Sequence, residues 1–262
     1  MTKKRNTAAI AVTLVLATLL LGGCAGKKKR APRKSGSEQY QQAQALIEKK
    51  NYAKAREVLG SIGSRELQDT SLDPLVKLAL ADAYYKDGGI TNIIEGQARY
   101  EQFINFYPTN ESTPYAQFQV GLCLYDQSAK PYNDQEYTRR ALEEFAKVRA
   151  IDPDSPYVAR AAGMMDKCRD KLARHEFDVG RFYRKRGACE SAAGRFRDVL
   201  NDYPKFSATE ATTFYLADAL ICTHNTDEAR IYLEKMLNDF PDSRYSSDAK
   251  EALSRIAPPK EP

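Results

Sequence analysis

The residues of this chain best suited to chemistry are five cysteines and two histidines. His175 and His224 stand far apart, and a lone histidine is ordinarily a surface or core residue. No cysteine and histidine spacing matches a metal site, no glycine-rich stretch forms a phosphate loop, and no Gly-x-Ser-x-Gly segment offers a nucleophile. Adjacent carboxylates such as Glu143-Glu144 occur at the spacing of a solvated helix face, not of an acid–base pair. The sequence therefore reads as a non-enzymatic chain that needs neither metal nor cofactor. What remains is thiol chemistry at Cys24, Cys123, Cys168, Cys189 and Cys222.

Cys24 has a distinctive setting. Lys3, Lys4 and Arg5 precede an apolar run over residues 8–21, which ends in the small residues Gly22-Gly23. Positive charge, a short apolar core and small residues describe a secretory signal peptide, here residues 1–23. The run is shorter than the about 20 residues of a membrane span. The stretch Leu21-Gly22-Gly23-Cys24 resembles the lipobox of bacterial lipoproteins, whose cysteine becomes the first mature residue and carries acyl chains. The resemblance implies lipidation at Cys24 and a stable anchor, since each buried CH₂ adds about 0.8 kcal/mol. Position 25 is alanine rather than the aspartate that retains such proteins in the inner membrane, which implies the periplasmic face of the outer membrane.

Residues 24–36 read as a tether. Lys27, Lys28, Lys29, Arg30, Arg33 and Lys34 lie among Gly26, Pro32 and Gly36, a composition that buries too little apolar area to fold. Beside a membrane each such cation adds about 1 kcal/mol of attraction to anionic head groups. Nucleic acid is not expected as a partner of an exported chain. Nine basic and no acidic residues precede Ser35, which leaves 31 Lys and Arg against 35 Asp and Glu, a net −4 for the remainder.

That remainder must position whatever binding the chain performs. Apolar residues recur at helical spacing from Ser37 onward, as in Tyr40, Ala43, Leu46 and Ile47, without strand alternation. Pro108, Pro153, Pro204 and Pro241 each close a helical stretch. Twelve positions before them stand Gly96, Ala141, Ala192 and Ala229; eight before, Tyr100, Phe145, Phe196 and Leu233; five before, Phe103, Val148, Val199 and Met236. A further unit reads Ala43, Leu46, Tyr52, Ala55, Leu59 and Ile62. The pattern resembles the tetratricopeptide repeat, a helix-turn-helix with small residues where its helices cross. The expected fold is an all-α superhelix of about five repeats over residues 37–257, ending in a capping helix over 243–256, with a tail at 258–262. Spacings of 41, 45, 51 and 37 between the small second-helix residues imply insertions, one expected at Gly88-Gly89 and one over 126–136. Residues 155–187 read as one or two long helices. Stacked repeats present an extended binding surface, so a scaffold is expected.

The block from His175 through Gly187-Ala188, Gly194-Arg195-Phe196 and Asp202-Tyr203-Pro204, together with the lipobox, is similar to the BamD family of outer-membrane assembly lipoproteins. In place of the aromatic-proline segment that commonly closes the family's first repeat stands Ile62-Gly63-Ser64-Arg65-Glu66-Leu67. The resemblance implies a part of the β-barrel assembly machinery. Its C-terminal repeats would dock on the periplasmic domain of BamA, its N-terminal repeats would receive unfolded outer-membrane β-barrel proteins, and other assembly lipoproteins are further candidate partners. It also implies that Arg195, with Arg186 second, meets an acidic group of BamA. A different repeat lipoprotein, a secretin pilotin or a Tol-Pal-associated periplasmic scaffold, is the alternative.

Stacking alone places Cys189, at the start of one helix, and Cys222, near the end of another, at the same edge of the array. They are candidates for a disulfide or for two separate thiols, because pairing requires Cα atoms about 4.4–6.8 Å apart. Cys123 and Cys168 lie in helical patterns and read as small buried residues. For Cys24, intact-mass measurement is expected to show a mature chain that starts at this residue and carries added acyl mass; a chain starting elsewhere without acyl mass would contradict the lipobox reading.

Overall fold

A computed structural model describes residues 34–63, 71–128, 130 and 133–256. The signal segment, Cys24, most of the tether, Pro131 and the tail lie outside the described residues. The described chain is all-α. Its helices, in order, are α1 (Gly36–Glu48), α2 (Tyr52–Gly60), α3 (Leu72–Asp87), α4 (Ile90–Phe106), α5 (Thr113–Gln127), α6 (Glu136–Ile151), α7 (Tyr157–Lys185), α8 (Cys189–Asp202), α9 (Thr209–Cys222), α10 (Thr226–Asp239) and α11 (Ser246–Arg255). Each packs against its neighbours in sequence, and α1 on α3, α5 on α7 and α7 on α9 add contacts between successive first helices. This is a tetratricopeptide-repeat array of five helical hairpins, with α11 against the last one.

The proline-anchored positions form its interior. Gly96, Tyr100, Phe103, Ala141, Phe145, Val148, Ala192, Phe196, Val199, Ala229, Leu233 and Met236 are all buried. The reason small residues stand at the crossings is visible in space. A Cβ on Gly121 would lie 2.6 Å from the Phe145 ring, and one on Gly180 would lie 2.7 Å from the Phe196 ring. The hydrogen atom at these two positions is what lets the second-helix aromatic lie against the first helix. Rings then continue the contact from repeat to repeat: Phe177 to Phe196 at 5.7 Å, Phe196 to Tyr215 at 5.9 Å and Tyr215 to Tyr245 at 5.9 Å.

The turns inside the hairpins explain one departure from expectation. Lys50, Gly187 and His224 adopt left-handed backbone with φ of 57°, 75° and 62°. In each case the next amide donates back five residues, Asn51 to Leu46, Ala188 to Tyr183 and Asn225 to Leu220, at 2.8–3.0 Å. This is the bond that closes a helix C-terminus around a left-handed residue. Gly88 and Gly89, with φ of 74° and 76°, lead directly from α3 into α4. They are the ordinary turn of the second repeat and not an insertion. The extra length lies instead in the 128–135 segment of the third repeat and in α7. Residues 155–187 resolve to that single helix of 29 residues, about 44 Å long at 1.5 Å per residue. The capping helix starts at Ser246, three residues later than its sequence pattern, because Ser243 and Ser246 close a turn: Ser246 N donates to Ser243 O at 3.0 Å.

Helix α7 enters two cores. Ala161 and Cys168 belong to the cluster built around Tyr100, Phe118 and Phe145. Ala173 and Phe177 belong to the cluster that runs through Phe196, Leu216 and Met236 to Ile256. A third, smaller cluster joins Ala43, Leu59 and Ile62 to Val76 and Ala79. Polar staples supplement the apolar contacts. Asp82 on α3 accepts from Tyr100 on α4 at 2.6 Å and from Tyr115 on α5 at 2.8 Å, tying the second repeat to the third. Burial first, and then the Asp82 charge, push both phenols well above their ordinary range, so they remain donors.

Cys189 and Cys222 form a disulfide with Cα atoms 5.9 Å apart. It joins the first residue of α8 to the last of α9, across the shared edge of the fourth and fifth repeats. Cys123 and Cys168 are free and buried. Burial raises the Cys123 thiol to about 12, with help from Asp126 and Glu101, and the Cys168 thiol to about 11.

Three measurements follow. Gly→Ala inside a helix ordinarily stabilises by up to about 1 kcal/mol, but Gly180→Ala meets a fully buried ring and is expected to cost about 1–3 kcal/mol, as overpacking does. A lower Tm by circular dichroism is the expected sign, and an unchanged or higher Tm would contradict the crossing geometry. Thiol counting on denatured, unreduced protein should find two free thiols besides Cys24, where separate cysteines would give four. In the native state Cys123 and Cys168 should resist alkylation at pH 8, because protonated buried thiols are poor nucleophiles.

Candidate functional site

The residues singled out for partner binding lie on α7 and α8. Phe177, Gly180 and Tyr183 turn toward the core, which sends His175, Val179, Phe182 and Arg186 to another face at spacings of four, three and four. A shallow groove of about 470 Å³ is lined there by His175, Asp178, Val179, Phe182 and Tyr183. Phe182 is 54% exposed, unusual for so large a ring. The Arg186 guanidinium, just past the end of α7, sits 5.0 Å from the centre of that ring. This is cation–π geometry, which holds both groups in place without neutralising the charge.

Arg195 stands one position before the inward Phe196, which turns it away from the core. It lies on the flank but is engaged: Nη1 donates to Oε2 of Glu176 on α7 at 2.7 Å. The arginine side chain is still 42% exposed and its carboxylate partner 22%. Glu176 therefore holds the guanidinium between two helices while much of the side chain stays in solvent. Arg186 and Arg195 are not brought together. Arg186 is ten residues beyond Glu176, or about 15 Å along the α7 axis, so the two cations lie at separate places on the hairpin.

Sequence reasoning missed Glu176 and Phe182. The Phe182 signal was present, since a large ring one position before an inward Tyr183 must leave the core face. Glu176 gave none, because its link to Arg195 depends on how α7 and α8 align across a turn. Other arginines on the same helices are occupied differently. Arg197 grips Glu228 of α10 with Nη2 at 2.8 and 2.9 Å, and Arg184 reaches Asp218 of α9 at 2.7 Å. These pairs join successive repeats and leave less cation for a partner. Among the described residues no group of three or more metal-ligating side chains occurs, and no helix is long and apolar enough to cross a membrane.

A family model described as "YfiO: Outer membrane lipoprotein" matches residues 32–230, which take in four whole hairpins and both arginines. The chain belongs to this family. The chain is 28% identical over 245 residues to "Outer membrane protein assembly factor BamD" of Rickettsia prowazekii (strain Madrid E), covering 90% of this chain and 93% of that one. It is 27% identical over 251 residues to the protein of the same name from Caulobacter vibrioides, covering 94% and 81%. A third BamD, from Neisseria meningitidis serogroup B, is 31% identical over 179 residues, 63% of this chain and 64% of that one. Similar solved structures include a thermophilic tetratricopeptide-repeat protein of Thermus thermophilus, at 16% identity and a TM-score of 0.35, covering 84% of this chain and 99% of that one. A kinesin light chain-like repeat protein of Podosopora anserina follows at 15% identity and a TM-score of 0.36, covering 86% and 100%.

Proposed function

We propose that this member of the YfiO family is a non-enzymatic, lipid-anchored scaffold of the β-barrel assembly machinery at the outer membrane. It would hold BamA through the α7–α8 face and receive unfolded barrel proteins on its earlier repeats. The observation that carries the reading is likeness over nearly the full length of both chains to proteins named as outer membrane assembly factors. Cys24 would provide the anchor, through the lipobox ahead of it.

The geometry supports the division of labour. An Arg195 side chain that stays 42% exposed beside Glu176 suits a second carboxylate, and a planar guanidinium gives such a contact orientation as well as energy. Phe182 offers the kind of exposed ring that anchors interfaces. On the second repeat, Leu75, Ile90, Ile94 and Phe106 are 46–59% exposed. Large apolar side chains left in water on α3 and α4 suit the capture of unfolded chains.

The test is purification of the full chain through a C-terminal tag in gentle detergent, with BamA expected to co-purify. Arg195→Glu should reduce the recovered BamA by about tenfold, the effect of some 1.4 kcal/mol at an interface. Its own fold should hardly change, because an exposed ion pair such as Arg195–Glu176 contributes about 0–1 kcal/mol. Unchanged recovery of BamA, with Tm and helicity also unchanged, would remove Arg195 from the interface.

A further inference from the structure

We infer that a second binding site lies in the cleft floored by the N-terminal part of α7, and that it takes an extended, acidic segment of a partner polypeptide. Three grooves adjoin there, all lined by Asp166 and Lys205. The first, about 730 Å³, lies between the end of α5, at Tyr125 and Ser128, and Lys167, Lys171 and Arg174 of α7. The second, about 490 Å³, runs between Arg169 and the Tyr203-Pro204-Lys205-Phe206 turn. The third, about 360 Å³, separates Phe145 and Arg149 of α6 from Val158, Ala161 and Met165 of α7. From Val158 to Arg174 the floor runs about 24 Å, the length of about seven residues of extended chain.

The charge in this cleft is unbalanced. Lys167, Lys171, Arg174 and Lys205 face Asp166 and Asp170 in the first groove. Both carboxylates are already engaged: Asp166 pairs with Arg169 at 3.1 Å, and Asp170 accepts the Ser207 amide at 2.8 Å. Lys171 donates to the Ser128 carbonyl at 3.2 Å and to its hydroxyl, and lies 5.3 Å from the Tyr125 ring centre. Arg174 lies over the Phe177 and Phe206 rings at 5.4 and 4.9 Å. Among the described residues Lys167, Lys171, Arg174 and Lys205 have no carboxylate partner. Burial depresses the Lys171 ammonium below its ordinary range, as expected of a partly desolvated cation that lacks a counter-charge.

This is not the background of the surface. The body carries a net −4, and the arginines that join successive repeats, Arg56, Arg184 and Arg197, each meet a carboxylate. A groove that concentrates uncompensated cations raises the local concentration of anions. The apolar continuation through Phe145, Val158, Met165 and Phe206 favours a polypeptide over a small anion, because alternate side chains of an extended segment present acid to one wall and hydrocarbon to the other. The cleft sits N-terminal on α7 to the Phe182–Arg186 face, and the inference does not rest on the assembly role proposed above.

The probe is a fluorescein-labelled heptapeptide of alternating Glu and Leu with an amidated C-terminus, followed by anisotropy on the full chain in detergent. Saturable binding that weakens as salt rises from about 50 to about 300 mM is expected. Lys167→Glu with Lys205→Glu, both at exposed positions, should weaken it at least about tenfold with an unchanged circular dichroism spectrum. Equal binding of the counterpart with Lys in place of Glu, no saturable binding, or an unaltered affinity in the double variant would overturn the proposal. Displacement of the peptide by glycerol phosphate, beyond a chloride control of equal ionic strength, would assign the cleft to a phosphate head group and overturn it as well.

Discussion

Helix α7 is the constraint on which the rest of the molecule depends. A tetratricopeptide hairpin buries its apolar face only against its neighbours, so an array holds together where one hairpin meets the next. Here one uninterrupted helix of 29 residues serves two cores, through Ala161 and Cys168 at one end and Ala173 and Phe177 at the other. Because a helix is stiff over this length, the third repeat cannot rotate against the fourth without unpacking one of those clusters. Both candidate sites use the same helix, so their spacing is set by its 1.5 Å rise rather than by loops.

At two of the crossings the packing follows one rule. In the third and fourth hairpins a first-helix residue without side-chain bulk accepts a second-helix ring, as Gly121 accepts Phe145 and Gly180 accepts Phe196. Close packing makes such interiors intolerant of even one added methyl. The polar groups inside are treated with equal economy. Asp82 has Tyr100 and Tyr115 on one oxygen and Lys86 at 3.3 Å from the other, so a partly buried carboxylate between three helices has its partners.

Much of this was legible from the chain because proline imposes a common origin. Counting back from Pro108, Pro153, Pro204 and Pro241 recovers the buried residues of four second helices, since helix period and the closing turn are both local properties. Gly88-Gly89 misled because glycine is the usual marker of a positive φ, while Lys50 and His224 adopt the same backbone sign without it. An equivalent turn thus appeared as an extra one. The Arg195–Glu176 pair and the unpaired cations around Lys205 were not legible at all. They depend on the azimuth and axial offset between helices, which differ by a few ångströms for the same periodicity. The edge shared by Cys189 and Cys222 could be read from stacking order, but the 5.9 Å between their Cα atoms could not.

The same cysteine bridge gives the array a mechanical polarity. Tension applied along the chain passes through the first three repeats by way of non-covalent packing alone, and these can lengthen by unravelling. Between Cys189 and Cys222 the load bypasses 32 intervening residues through a covalent shortcut. The α8 and α9 segments inside that ring cannot be drawn out, whatever force reaches them from either end. The α8–α9 pair therefore acts as a closed link in an otherwise extensible spring, with α7 before it and α10 and α11 after it left to lengthen, and a surface on α8 keeps its chain length under load.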